Sequence, residues 1–252
     1  MNRKIIVYTA LFGNYGGLIP QPKLPNIEYI CYTDRDIKCK NWTIVKVKAP
    51  VINDNTRSNR WYKILPHKHL PKTCEISVYI DANIWILKDI NGLIQGKMKL
   101  AKMASFDHNQ NSNVDQRNCI YLEYKALMNN GNEKGVYRDD PEVMTTQINR
   151  FKQEGYPENN GLITAPILIR KHFDNELISV NEAWWDIVNN ESKRDQLSFN
   201  YVAWKQNFTD FTYINGDVRS GNPWFYTISH RKRYTFKMFK IKFKKFFKSK
   251  SN

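Results

Sequence analysis

The stretch Ser77-Val78-Tyr79-Ile80-Asp81-Ala82-Asn83-Ile84-Trp85-Ile86 constrains this chain more than any other. Val78, Ile80, Ile84 and Ile86 are β-branched, and Tyr79 and Trp85 are aromatic, so the run reads as a buried strand broken by a short acidic elbow. A carboxylate in so apolar a setting is costly unless it is paired or bound to a cation. At the carboxyl end of a strand in an open α/β sheet, it would face the ligand crevice. Asp81 and Asn83 would then offer oxygens to Mn²⁺ or Mg²⁺, and the cation could grip a diphosphate. The alternative is a strand-end turn whose Asp and Asn cap backbone groups.

The flanking sequence supplies a sheet for this strand. Residues 4–10 read as a central strand and 27–34 as a second, ending in Thr33-Asp34. Residues 42–47 alternate apolar and polar and read as a third. Leu11-Phe12-Gly13-Asn14-Tyr15-Gly16-Gly17 is a glycine-rich loop but not a dinucleotide fingerprint. Residues 56–65 read as a helix after Asn53-Asp54-Asn55, with Arg57, Arg60 and Lys63 at intervals of three. That basic row is either a solvated face or an anion-binding one.

Further on, 103–106 reads as a short strand and 108–118 as a polar loop. Helices are expected over 117–128 and 141–153, joined by a flexible Asn129-Asn130-Gly131-Asn132 segment. Residues 162–170 read as a strand whose central Pro166 implies an edge or a bulge. A helix over 175–189 carries Trp184 and Trp185, read as core residues. Residues 194–199 open another helix, and 211–214 form a last short strand. Strands with intervening helices define an α/β chain.

Composition narrows the class. The length of 252 residues suits one large α/β domain or two small ones. The four cysteines form no CxxC pair, which implies neither a zinc site nor a disulfide framework and fits a reducing cytoplasm. His67, His69, His108 and His172 read as loop or surface residues rather than ligands. The start, Met1-Asn2-Arg3-Lys4, runs straight into a strand and does not read as a signal peptide.

The formal charge is +15, but residues 231–252 hold ten Lys/Arg and no acid, and taking those away leaves +5. Two parts follow: a mildly basic domain over 1–230 and a basic tail over 231–252. Phe236, Phe239, Phe243, Phe246 and Phe247 span about 100° of a helical wheel, with lysines over most of the rest. A basic amphipathic helix over 236–250 suits an anionic membrane surface; a disordered solubilising tail is the alternative. Nucleic acid is not the expected partner, because the main domain is only mildly basic and carries no nucleic-acid motif.

Five segments, in order, resemble a known family: Tyr8-Thr9-Ala10-Leu11-Phe12-Gly13-Asn14-Tyr15, Tyr32-Thr33-Asp34, Arg60-Trp61-Tyr62-Lys63, Tyr79-Ile80-Asp81-Ala82-Asn83 and Arg194-Asp195-Gln196-Leu197-Ser198-Phe199. The family is glycosyltransferase-like, was first catalogued as a domain of unknown function, and includes plant mucilage-related and bacterial surface-polysaccharide proteins. More distantly, the layout is similar to the family 8 glycosyltransferases.

The resemblance implies a GT-A-like (Rossmann-like) domain that moves a sugar from a nucleotide-sugar, a UDP-sugar for example, to a surface polysaccharide or lipid-linked glycan. It implies Asp81 and Asn83 as metal and diphosphate ligands, with Asn83 replacing the usual second Asp. It implies Asp195 and Gln196 at the reaction centre, and Thr9, Tyr15 and Asp34 around the nucleoside. Arg57, Arg60 and Lys63 fall near the diphosphate. Family 8 also has a C-terminal metal-binding histidine; here Gly221-Asn222-Pro223-Trp224 echoes its surroundings, and His230 is the nearest substitute. A peripheral position on the inner face of the plasma membrane follows from the tail. A non-catalytic carbohydrate- or nucleotide-binding module with a degenerate metal site is the competing reading.

Overall fold

The computed structural model describes residues 4–110, 116–219 and 221–228. The basic tail and His230 lie outside them, so neither expectation has a structural counterpart here.

A seven-stranded sheet runs through the molecule. In chain order its strands are β1 (Ile5–Leu11), β2 (Ile27–Thr33), β3 (Thr43–Lys46), β4 (Ile76–Ile80), β6 (Met103–Asp107), β7 (Ile163–Lys171) and β8 (Phe211–Ile214). In space the order is β3-β2-β1-β4-β7-β6-β8. The first four are mutually parallel, and β7 runs antiparallel to both β4 and β6. A separate ribbon pairs β5 (Ile84–Ile86) with β9 (Phe225–Thr227).

Alternation in β1 explains its central place. Ile6, Tyr8 and Ala10 enter one apolar core, and Ile5, Val7 and Leu11 enter the other. All seven residues are buried, as a strand covered on both faces requires. Helices α1 (Asn55–Ile64), α3 (Ile120–Lys134), α4 (Pro141–Gln153), α5 (Asn175–Asn190) and α6 (Phe199–Lys205) contribute to the first core; α2 (Asn91–Leu100) contributes to the second. Asp54 caps α1 by accepting from Arg57 N at 2.8 Å, and Asp140, followed by Pro141, caps α4 at Glu142 N.

The α/β reading is met, with three corrections. Helix α2 has no clear sequence signal, since it holds two glycines and its N-cap position is the apolar Ile90. Helix α3 continues through Asn129-Asn130-Gly131-Asn132, because Gly131 is buried beneath Tyr137. Strand β7 is interior, so Pro166 marks a bulge and not an edge. The pairing jumps from Ser105↔Leu168 to Phe106↔Thr164, and Ser105 Oγ donates to the carbonyls of Thr164 and Ile167, both at 3.0 Å. Pro166 therefore needs no ladder N–H, while its carbonyl accepts from Asp81 N at 2.9 Å. Among the described residues, no helix is long and apolar enough to cross a membrane.

Candidate functional site

The chain leaves β1 for β2 on one side and later returns to place β4 on the other. Ligands of open α/β sheets bind where the strand order reverses in this way, outside the carboxyl ends of the strands. A cavity of about 430 Å³ lies there. Its lining comes from the end of β1 and the glycine loop (Ala10 to Gly17), the first turns of α1 (Asn55, Thr56, Asn59, Arg60), the elbow (Asp81, Ala82, Asn83) and two arginines from later loops, Arg138 and Arg194.

The glycine loop is held tightly. Asp34 accepts from Gly13 N through both carboxylate oxygens, each at 3.2 Å. Gly13 has φ +60°, and a Cβ there would lie 2.2 Å from Asn55 Nδ2. Only glycine gives both that backbone and that approach. Asn59 joins α1 to β1 by donating to Ala10 O at 2.6 Å, and its Oδ1 accepts from Arg60 Nη1 at 2.7 Å.

In the elbow, Tyr79 donates its hydroxyl to Asp81 Oδ1 at 2.9 Å. Burial first, then the neighbouring Asp81 charge, hold the Tyr79 phenol protonated far above its ordinary range. Asn83 is buried; its Nδ2 donates to Ile228 O at 2.9 Å, while its own carbonyl accepts from Ile228 N. An ionised Asp in its place could not donate to the Ile228 carbonyl. The departure from a two-carboxylate motif thus has a local structural reason.

Behind the cavity wall sits Asp195, whose side chain is 5% exposed. Its Oδ1 lies 3.1 Å from Arg60 Nε and its Oδ2 is hydrogen-bonded to Lys63 Nζ. Burial would raise its pKa, but Arg60, Lys63 and Arg194 outweigh that and hold the carboxyl well below the usual range. Trp184, fully buried as expected, donates Nε1 to Asp195 O at 2.9 Å and so fixes the segment. A carboxylate this acidic, with both oxygens taken, suits a counter-ion that steadies Arg60 and not a proton acceptor.

The structure brings together Tyr15, Arg60, Asp81 and Asn83 in the cavity wall. Lys63 and Asp195 stand behind it. Thr9 is fully buried within β1, one residue short of the lining, and its Oγ1 has no hydrogen-bond partner among the described residues. Asp34 shapes the loop from outside the lining. Gln196 also lies outside it, and its Nε2 is buried without a hydrogen-bond partner among the described residues. Arg57 is corrected more sharply. Its guanidinium binds Asp54 at 2.7 Å and the carbonyls of Val188 and Glu191 at 3.0 and 2.6 Å, latching α1 to the end of α5. Asn14, Asn55, Thr56, Asn59, Arg138 and Arg194 were not singled out from sequence. Of these, Arg194 adjoins the Asp195-Gln196 pair, and Asn55 and Asn59 share a helix face at i, i+4.

Among the described residues, no three His, Cys, Asp or Glu side chains form a metal-holding group. Asp81 is the one carboxylate of the described lining, and Asn83 has committed its amide nitrogen. That donor set fits only a cation held chiefly by a substrate's phosphates and water.

Fold and cavity define an α/β protein with an arginine-lined cleft at the sheet's switch point. The chain belongs to the TOD1/MUCI70 glycosyltransferase-like domain family, whose model matches residues 25–215. The matched span includes Arg60, Asp81, Arg138, Arg194 and Asp195. Solved structures similar to it include the glycosyltransferase GlyE of Streptococcus pneumoniae TIGR4 (9% identity, 84% of this chain and 45% of that one, TM-score 0.42). The bifunctional glycosyltransferase WbbM in its apo form gives 9% identity, 84% and 38% coverage and a TM-score of 0.46. The galactosyltransferase LgtC, in complex with donor and acceptor sugar analogues, gives 11%, 84% and 73%, with a TM-score of 0.42. The chain spans less than half the length of the first two. No curated protein matches it.

Proposed function

We propose that this chain transfers a glycosyl group from a nucleotide-sugar, a UDP-sugar in the first instance, to a surface-polysaccharide or lipooligosaccharide acceptor. The observation that carries the reading is the charge of the cavity: three arginines face one carboxylate among its described lining residues. Its volume falls in the range of small-ligand sites. In the transfer, the bond from the anomeric carbon to the diphosphate oxygen breaks and one to the acceptor oxygen forms. The diphosphate leaves with its added charge, which guanidinium groups stabilise. The acceptor hydroxyl gives up a proton, and Asp81 takes it. A divalent cation, where bound, would add charge neutralisation on the phosphates beside Asp81. Lys63 and Asp195 act through Arg60 by fixing its position. The basic segment over 236–250 would bring this chemistry to an anionic membrane face carrying a lipid-linked acceptor.

The test is a thermal-shift series with nucleoside diphosphates and nucleotide-sugars, followed by assay of sugar release. A ligand at 100 times its dissociation constant raises stability by about 2.7 kcal/mol. One nucleotide should stand out, and sugar release should fall in Arg60→Gln and Asp81→Asn. No stabilisation by any nucleotide would end the donor reading. Binding without turnover would favour the carbohydrate- or nucleotide-binding module, which the single carboxylate of the described lining also accommodates.

A further inference from the structure

Two loops distant in sequence are clasped together beside the cavity. Asp139, between α3 and α4, has a side chain 6% exposed. Its Oδ2 accepts from Ser192 Oγ at 2.7 Å and from Lys193 N at 2.8 Å, and its Oδ1 lies 3.6 Å from Lys193 Nζ. Arg138 precedes Asp139, and Arg194 follows Lys193. Both line the cavity, so the clasp sets two arginines on one wall. Gly131 steers the same loop. A Cβ there would fall 2.1 Å from Tyr137 Cδ1, so glycine lets Tyr137 lie against α3 and direct the next residue to the cavity rim.

These arginines have capacity to spare. Arg138 is exposed and makes no hydrogen bond or ion pair among the described residues. Arg194 reaches Glu123 only at 3.9 Å, and its Nε is buried with no hydrogen-bond partner among the described residues. Burial, with Arg60 and Arg138 nearby, pushes the Arg194 pKa down against the pull of Asp195. Arg138 and Arg194 keep donors unspent beside Arg60, which already holds Asn59 and Asp195, and like charges lining one cavity favour the entry of an anion. Their planar forks match phosphate oxygens in pairs.

We propose that Arg138 and Arg194, together with Arg60, form the subsite for the donor's diphosphate and neutralise it without a tightly held cation, with Asp139 as their positioning residue. The proposal rests on the nucleotide-sugar reading of this cavity.

Isothermal titration in EDTA, with UDP and separately with inorganic pyrophosphate, tests it on wild type, Arg138→Gln, Arg194→Gln and Asp139→Asn. Wild type should bind UDP in EDTA. Each arginine variant should bind about 10- to 100-fold more weakly. Asp139→Asn should weaken binding too, but add nothing on an Arg138→Gln/Arg194→Gln background; a merely structural role would add its own loss there. Should Arg194→Gln not fold, the exposed Arg138 variant decides. UDP binding unchanged in the variants, or abolished by EDTA in wild type, overturns the subsite while the donor reading stands. Arginine-dependent binding of pyrophosphate without UDP keeps the subsite and removes the donor reading. Binding of neither overturns both.

Discussion

Asp195 and Lys63, 132 positions apart in sequence, form a hydrogen-bonded ion pair whose side chains are 5% and 3% exposed. Lys63→Met would leave the carboxylate with Arg60 as its closest counter-charge. Breaking a buried pair from one side costs about 3–5 kcal/mol, and the remaining Arg60 contact should hold the loss near the lower end. Urea unfolding measures it. Removal of both charges in Lys63→Met/Asp195→Leu should restore part of the loss, because no charge is then buried without its partner.

Acid should unfold this protein partly through the same carboxylate. Its folded pKa lies below its unfolded one, so the stability it contributes is complete above the unfolded value of about 4 and is lost as pH falls toward the folded value. Glu154 behaves alike: hydrogen bonds from Lys205, Tyr201 and Arg150 bring it down to about 2. Stability followed from pH 6 downward should stay level to about pH 5 and then fall. In Asp195→Asn the fall should be shallower.

Arg57 and Arg60 share a helix but should separate by assay. Arg57→Ala removes bonds to two carbonyls and to Asp54. It should cost about 1–3 kcal/mol of stability and leave nucleotide affinity unchanged. Arg60→Gln should reduce affinity as well. Equal affinity losses in both would place Arg57 in the binding site after all.

Asn83→Asp would set a carboxylate against the Ile228 carbonyl. The expected loss is about 1–3 kcal/mol, seen as a lower Tm, with no gain of Mn²⁺ dependence in ligand binding. An unchanged Tm together with a new Mn²⁺ requirement would show that the elbow can serve as a two-carboxylate metal motif.

Gly13→Ala strains a backbone at φ +60° and drives a methyl group into Asn55. The left-handed conformation alone costs about 1–2 kcal/mol. Because Asn55 lines the cavity, nucleotide affinity should fall together with the Tm.

The sheet was legible because β1, β2 and β4 are apolar runs with β-branched residues, and burial on both faces leaves that mark. Helix α2 was not, since Gly92 and Gly96 dilute its pattern and its N-cap position is the apolar Ile90, with Asp89 reaching Asn91 N from one residue further out. In α3, Asn129 to Asn132 look like a breaker, and only Tyr137 lying on Gly131 shows otherwise. The elbow with Asp81 and Asn83 could be read directly. The basic row on α1 misled in part: at 3.6 residues per turn, a spacing of three drifts about 60° each step, so Arg57 and Lys63 point apart. Thr9 sits one residue too deep in β1 to reach the lining. Arg138 carries no sequence signature, because a loop clasped from 54 residues away brings it to the rim.

The pairs that build the cavity join remote segments: Lys63 with Asp195, and Asn83 with Ile228, 145 positions on. Loop-closure entropy must be met before such contacts form, so the pocket takes shape late, after the early parallel strands. A nascent chain cannot seat the Asn83 amide until Ile228 has left the ribosome. Ligand-induced stabilisation therefore reports an elbow already braced from the far end of the chain, and a chain shortened before that residue would leave the Asn83 amide without its carbonyl partner.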